Sequence, residues 1–277
     1  MWNVAGSSNI NDIACYVNKL DILFLLETWE SKASISISSL GNHGFELYTS
    51  PARKAALKGR AKGGLLCIVN PIIYKPKNIC IKEDFICIRI KICNQYVIVC
   101  AVYFSPSQEI ESCLERLGET LNYYKSLFPY DPLIIWGDFN CRVGNLNQFN
   151  EWEIFEGTCC DKHRISIDSL INNRGRKLSY FMEELGLILL NGRSYKHRPA
   201  QYTYLSSIGK SVIDLMWCSV EALDIIKNFN VLNIFTNSDH FPINLTIKYM
   251  HVKNEKSNNN VNIKILWKND RQNIFCN

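Results

Sequence analysis

Leu133-Ile134-Ile135-Trp136-Gly137-Asp138-Phe139-Asn140 is the stretch from which the rest of the chain can be read. Four consecutive apolar residues are what a strand covered on both faces requires, and Gly137 then opens a polar tip. Extended chain alternates its side chains, so Asp138 and Asn140 are expected on one side with Phe139 turned into the core. A carboxylate beside an amide suits orienting a water and holding a phosphate oxygen; a polar turn that merely closes a strand is the plain alternative.

Working outward, other apolar runs repeat this design. Asp21 to Leu26 reads as a buried strand ending at Glu27, fed by a helix that Asn9 can cap and that runs from Ile10 to Leu20. Strands are expected at Gly64 to Val69, Ile86 to Ile92 and Tyr96 to Phe104, the last carrying Tyr103 near its end. Ser112 to Phe128 has helical spacing, and Asn172 or Asn173 starts a second helix that Gly186 stops, followed by a strand at Leu187 to Leu190. Tyr202 to Leu205, Val212 to Trp217, Asn230 to Phe235 and Pro242 to Lys248 complete the strands. Strands outnumber helices roughly two to one and come both singly and in neighbouring pairs, which favours mixed sheets over a purely parallel one. The expected class is α/β (α+β), a four-layered sandwich of two packed mixed β-sheets flanked by helices. Residues 1–250 form one domain in this reading. Residues 251–277, rich in Lys, Asn and Ser, form a polar linker with too little apolar material to order itself.

Of 277 residues 47% are apolar, enough for a sizeable core, and the net charge is +5. Arg53, Lys54, Lys58, Arg60 and Lys62 place five positive charges and no negative one between Pro51 and Lys62. Such a loop can track a phosphate backbone, or can simply be solvated. Twelve cysteines without a C-x-x-C pair or a secretory leader argue against both zinc and a disulfide scaffold. Cys67, Cys80, Cys87, Cys93 and Cys100 fall in apolar runs and read as small core residues, while Cys159-Cys160 receives no role. No apolar run approaches the ~20 residues of a membrane span. An intracellular protein is the expectation.

Two further polar positions adjoin or interrupt apolar runs. Asp214 in Val212-Ile213-Asp214 lies inside a strand-like run and, if buried, needs a partner; His240 in Ser238-Asp239-His240 is the candidate, since a carboxylate would hold its tautomer and keep it protonated. Taken singly, Glu27 reads as a cap or surface charge, Tyr103 as a core aromatic and His240 as a structural histidine.

In order, Asn3, Glu27, Gly63-Gly64, Tyr103, Gly137-Asp138-Phe139-Asn140, Ser211-Val212-Ile213-Asp214 and Ser238-Asp239-His240 resemble the motif series of the endonuclease/exonuclease/phosphatase superfamily, which includes abasic-site endonucleases, over about residues 2–248. The stretches Arg164-Ile165-Ser166-Ile167-Asp168, Asn172 to Leu178, Gly186 to Gly192 and Tyr202-Thr203-Tyr204 are similar to endonuclease domains of invertebrate non-LTR retrotransposons. Ile263-Lys264-Ile265-Leu266-Trp267 resembles the segment that leads toward a reverse transcriptase domain in such polyproteins. The resemblance implies a metal-dependent phosphodiesterase that nicks DNA and leaves a 3′-hydroxyl. It implies Mg²⁺, or Mn²⁺, on Glu27 and Asp239 with Asn3 close by. Asp138 would orient and deprotonate water, Asn140 would hold a phosphate oxygen, and Tyr103 with the Asp214-supported His240 would stabilise the transition state. DNA and a reverse transcriptase domain are the implied partners. Family members carry several apolar residues before the Asn3 position, whereas here only Met1-Trp2 precede it, so a weakly held Asn3 is expected. That departure motivates the alternative of an inactive relic or DNA-binding fragment; a phosphatase of the same superfamily is the other.

Overall fold

The computed structural model describes residues 1–6, 20–31, 44–54, 59–92, 94–234 and 237–248. Most of the expected first helix, Lys58, Cys93 and the 251–277 linker lie outside them. In chain order the strands are β1 (Trp2–Asn3), β2 (Ile22–Leu26), β3 (Glu46–Ser50), β4 (Leu65–Val69), β5 (Lys77–Ile81), β6 (Phe85–Ile92), β7 (Gln95–Tyr103), β8 (Leu133–Asp138), β9 (Ile188–Leu189), β10 (Tyr204–Ser206), β11 (Gly209–Ser211), β12 (Asp214–Cys218), β13 (Ile226–Val231) and β14 (Ile243–Ile247). The helices are α1 (Ile110–Leu127), α2 (Asn173–Glu184) and the short α3 (Val220–Leu223).

Two mixed sheets carry the architecture, in agreement with the sandwich expected from the sequence. One has the order β1-β2-β4-β3, with β1 and β2 parallel. The other has the order β5-β6-β7-β8-β12-β9, with β7 and β8 parallel and the remaining pairs antiparallel. Two ribbons, β10-β11 and β13-β14, stand beside them.

The alternation of each strand decides which core it feeds. Phe24, Leu26, Leu65 and Cys67 of the first sheet meet Ile86, Ile88, Ile134, Trp136, Met216 and Cys218 of the second. Phe24 lies edge-on to Trp136 at 5.7 Å. The opposite residues of the six-stranded sheet, among them Cys87, Cys100, Ile135 and Trp217, pack under α1 and α2. Each large apolar side chain so buried contributes roughly 1.5–3 kcal/mol. The Asn172 side chain caps α2 by accepting from Gly175 N at 2.7 Å, and Gly186, at φ +71°, follows its end, as the sequence predicts. Cys67, Cys87 and Cys100 are buried free thiols and Cys80 is half-buried. No described helix is long and apolar enough to cross a membrane.

Several details differ from the sequence reading. β3, β5 and β11 were not expected. β3 and β5 are edge strands with mixed polar and apolar faces, so their apolar signal is weak. β13 runs over Ile226–Val231 where Asn230 to Phe235 was expected, because its ladder with β14 sets Val231 opposite Ile243. Finally, β8 continues two residues past Trp136, to Asp138.

Candidate functional site

Tyr103, Asp138 and Asp214 occupy one row across three adjacent strands: Tyr103 pairs with Asp138, and Asp138 with Asp214. Each continues an alternating series that faces the other sheet, namely Val99-Ala101-Tyr103, Ile134-Trp136-Asp138 and Cys218-Met216-Asp214. The apolar core between the sheets thus ends in a polar row at one rim. Asn3 reaches the same rim from β1, since Met1 lies in the inter-sheet core while Trp2 and Val4 pack on the outer face. Glu27 follows the last residue of β2 and takes φ +53°, which turns the chain out of the strand.

The rim is tightly bonded. Asn3 Nδ2 donates to Asp138 Oδ2 at 2.9 Å, and Asn3 Oδ1 accepts from Ala5 N at 3.0 Å. Asn3 is 1% exposed, so the short first strand holds it firmly, contrary to the expectation; parallel pairing with Leu26 and the Asp138 bond are the reasons. Asp138 Oδ1 accepts from Asn140 N at 3.0 Å. Phe139 is fully buried against Phe104, as expected, while Asn140 takes φ +49° and donates its side-chain amide to Phe104 O at 3.0 Å. Tyr103 donates its hydroxyl to Glu27 Oε1. His240 Nδ1 lies 2.8 Å from Asp214 Oδ2, and its Nε2 lies 3.9 Å from Asp138 Oδ2.

These neighbours set the charges. Burial opposes a charged His240 ring, but Asp214, then Asp138 and Glu27, outweigh it and raise the pKa to about 9. Asp138 is pushed up to about 7, chiefly by burial, with His240 pulling it down, Asp214 pushing it up, and the Asn140 and Asn3 bonds favouring its charged form. Burial and the adjacent Glu27 charge keep the Tyr103 phenol protonated. Asp138, Asp214 and His240 are the three groups among the described residues close enough together to serve as common metal ligands. Two of them are already joined, however, as the His240–Asp214 pair. The more open oxygens belong to half-buried Glu27 and exposed Asp239. With Asn3 they offer oxygen donors beside a cluster that holds two carboxylates and one imidazolium. That chemistry fits a hard divalent cation.

Residues with no role in the sequence reading position the site. Thr203 Oγ1 accepts from the backbone N–H groups of Ile213 and Asp214, both at 3.0 Å. Asn191 donates to Asp214 O at 3.0 Å and accepts from Met216 N at 2.8 Å. Trp2 Nε1 donates to His240 O at 2.8 Å, and Ser238 Oγ donates to Asn3 O at 2.7 Å. Thr203 and Asn191 stand in the stretches singled out by resemblance, but nothing in their spacing tells which backbone group they hold. Gly137 is required sterically, because a Cβ there would lie 2.0 Å from Val102 O and force β7 away from β8.

The basic loop springs from the same rim. Thr28 N and Trp29 N donate to Gly64 O and Gly63 O, and Arg53 and Lys62 close the loop with paired backbone bonds of 3.0 and 2.9 Å. Gly64, at φ +89°, also leaves no room for a Cβ, which would sit 2.6 Å from Thr28 Oγ1. Arg60 lies over the Trp29 ring at 3.3 Å, and Lys54 is exposed. Arg53 pairs with Glu83 at 2.9 Å, so an acid distant in sequence offsets part of the charge that the loop carries by itself.

A family model described as "Endonuclease-reverse transcriptase" matches residues 97–244, just over half of the chain and including Tyr103, Asp138, Asn140, Asp214 and His240. No curated protein matches in sequence. Among solved structures, the endonuclease domain of TRAS1, a telomere-specific non-LTR retrotransposon, is 19% identical at a TM-score of 0.58, covering 88% of this chain and 91% of that one. A 3′-5′ exonuclease from Neisseria meningitidis is 17% identical at a TM-score of 0.60, covering 90% and 98%. An AP endonuclease from Archaeoglobus fulgidus is 15% identical at a TM-score of 0.58, covering 88% and 96%. These structures share the fold of this chain.

Proposed function

The chain belongs to the endonuclease-reverse transcriptase family, as its motif series suggests, and from that premise we propose that it is a divalent-metal-dependent DNA endonuclease that nicks one strand and leaves a 3′-hydroxyl. The observation that carries this reading is the buried His240–Asp214 pair set beside Asp138, Asn3 and Tyr103 at a rim rich in carboxylates.

Asp138, with a pKa near neutrality, takes the proton of the attacking water, and Asn3 fixes the carboxylate that does so. The water oxygen bonds to phosphorus, the P–O3′ bond breaks, and the leaving oxygen picks up a proton. His240, charged and oriented by Asp214, and the neutral Tyr103 hydroxyl stabilise the crowded phosphoryl oxygens. Asn140 uses one amide hydrogen on Phe104 O and keeps the second for a phosphate oxygen. Glu27, Asp239 and Asn3 would hold Mg²⁺ or Mn²⁺, which when bound neutralises the phosphate and the leaving oxygen. The loop carrying Arg53, Lys54, Arg60 and Lys62 positions the duplex through its phosphates. In a parent polyprotein the 3′-hydroxyl primes the linked reverse transcriptase, which makes the nucleus the place of action.

Nicking of supercoiled plasmid with Mg²⁺ or EDTA, beside Glu27→Ala, is the test. Metal-dependent nicks that fall by on the order of 10³-fold in Glu27→Ala are expected, and their 3′ ends should be extended by a polymerase without prior phosphatase treatment. Ends that need dephosphorylation would sink the 3′-hydroxyl assignment. Release of phosphate from a 3′-phosphorylated strand with the plasmid left intact would move the reading to a phosphatase. No metal-dependent reaction on either substrate would favour a DNA-binding fragment.

A further inference from the structure

A cleft of about 620 Å³ opens at the end of the six-stranded sheet opposite to the rim. Lys91 and Tyr96 are register partners at the β6–β7 turn, whereas Tyr103 ends the same β7. Seven residues of extended chain separate Tyr96 from Tyr103, about 23 Å at ~3.3 Å per residue. The cleft is therefore separate from the candidate active site.

Its walls combine three lysines, Lys75, Lys77 and Lys91, with Tyr74 and Tyr96 and an apolar lip of Ile72 and Ile73. The lysines are exposed, and none of them forms an ion pair among the described residues. Arg89 stacks on Tyr96 at 3.7 Å but is already neutralised by Asp131 at 2.5 Å. Lys77 lies 5.6 Å from the Tyr96 ring centre. By its hydrogen bond, Lys77 draws the phenol below its usual range, with Lys91 and Arg89 adding to the effect. Ile72 is 93% exposed and Ile73 50%. Uncompensated cations beside aromatic and apolar surface are what an unpaired strand needs, phosphates on the lysines and base faces on the rings. A duplex hides its base faces and could use only the lysines. The volume lies within the roughly 300–1,000 Å³ of small-ligand pockets, room for about one or two nucleotides of a strand.

We propose that this cleft is a second nucleic-acid site, specific for single-stranded polynucleotide, on the face of the domain remote from the strand-cutting rim. It stands whether or not the chain cleaves DNA, because it rests on the cleft alone.

The test is fluorescence anisotropy on the full chain in EDTA, with short labelled oligouridylate and oligothymidylate and with duplex DNA of equal length. Arg53→Ala, Arg60→Ala and Lys62→Ala form the background, so that the rim loop does not contribute. Adding Lys75→Ala, Lys77→Ala and Lys91→Ala together should weaken single-strand binding tenfold or more. The log–log salt slope should flatten by about 2, three phosphate contacts at roughly 0.7 each. Arginine at the same three positions should preserve binding, and Tyr96→Leu should weaken it severalfold with the slope unchanged. Binding one strand type but not the other would support the site and identify its sugar preference. Unchanged affinity in the triple variant, equal affinity for duplex and single strand, or competition by inorganic phosphate at the concentration of the oligonucleotide would each overturn it. Plasmid nicking by Lys75→Ala, Lys77→Ala and Lys91→Ala in the otherwise unaltered chain, run in parallel, should match wild type. A chain that binds single strands but never nicks would lose the proposed activity and keep this site.

Discussion

His240 and His197 are both buried, 7% and 3% exposed, yet one ring is held charged and the other neutral. Burial penalises the charged form in both. At His240 the Asp214 carboxylate, 2.8 Å from Nδ1, outweighs the penalty and lifts the pKa to about 9. At His197 no carboxylate opposes it and the Arg164 charge adds to it, so the pKa falls to about 4. The His197 ring lies edge-on to Phe229 at 5.2 Å, and its Nε2 has no hydrogen-bond partner among the described residues. The arginines of that region donate to carbonyl oxygens: Arg164 binds Asn191 O and Gly144 O, and Arg193 binds Leu189 O and Asn147 O. The second cluster is a brace that ties loops together; the first is a charged pair at a rim. Burial sets the cost of a charge, and the sign of the nearest neighbour decides whether it is borne.

The largest expected effect comes from erasing that difference. Asp214→Asn should let burial win at His240, dropping its pKa below 6.5 and slowing nicking by on the order of 10³-fold, about 4 kcal/mol. Imidazole titration by NMR together with single-turnover nicking reads both, and a ring still charged at pH 8 would break the comparison.

His197 gives the next effect, in stability. Its folded pKa of about 4 lies below the unfolded 6.5. The unfolded chain therefore takes up a proton first, and this stabilisation is full above pH 6.5 and lost as pH falls from 6.5 to 4. His197→Phe keeps a ring beside Phe229 and removes the proton, so its stability relative to wild type should rise by up to roughly 3 kcal/mol across that window. Denaturant titrations of both proteins at several pH values measure the difference, and parallel curves would contradict a neutral His197.

Gly137→Ala sharpens the comparison from charge to backbone, since the rim depends on strand spacing where the brace depends on loops. Crowding Val102 O should cost about 2 kcal/mol of stability and lower nicking as well, because Tyr103 and Asp138 sit on the two strands pushed apart. A variant of full activity would show that the row tolerates a wider gap. Arg60→Ala, at the exposed margin, should change DNA binding by under about 1 kcal/mol and flatten its salt dependence, with the pH profile of cutting unmoved. A changed pH profile would place Arg60 inside the reacting cluster.

Much of this is legible in the sequence. The buried runs at Ile22–Leu26, Leu65–Val69 and Leu133–Trp136 announce themselves because covered strands must be apolar on both faces. The positions of Glu27, Tyr103 and Asp138 at strand ends follow from the same runs, whereas Asp214, read inside a strand that starts at Val212, opens β12. β3 and β5 escaped because an edge strand has one neighbour and one dry face at most. The supporting bonds of Thr203 and Asn191 escaped because a buried threonine or asparagine reads alike whatever it holds. The basic loop was legible as charge, but its partner Glu83 was not.

By itself the sequence determined the period of the buried strands, the residues that end most of their apolar runs and, through their order, the family. Tertiary structure alone decided that Asn3 would meet Asp138 across 135 positions and that Thr203 and Asn191 would hold the backbone of Asp214. The physical reason is range: alternation is a property of one strand and its immediate neighbours in the chain. Hydrogen bonds and the charges they set depend on separations of a few ångströms, which only the pairing of distant strands can fix.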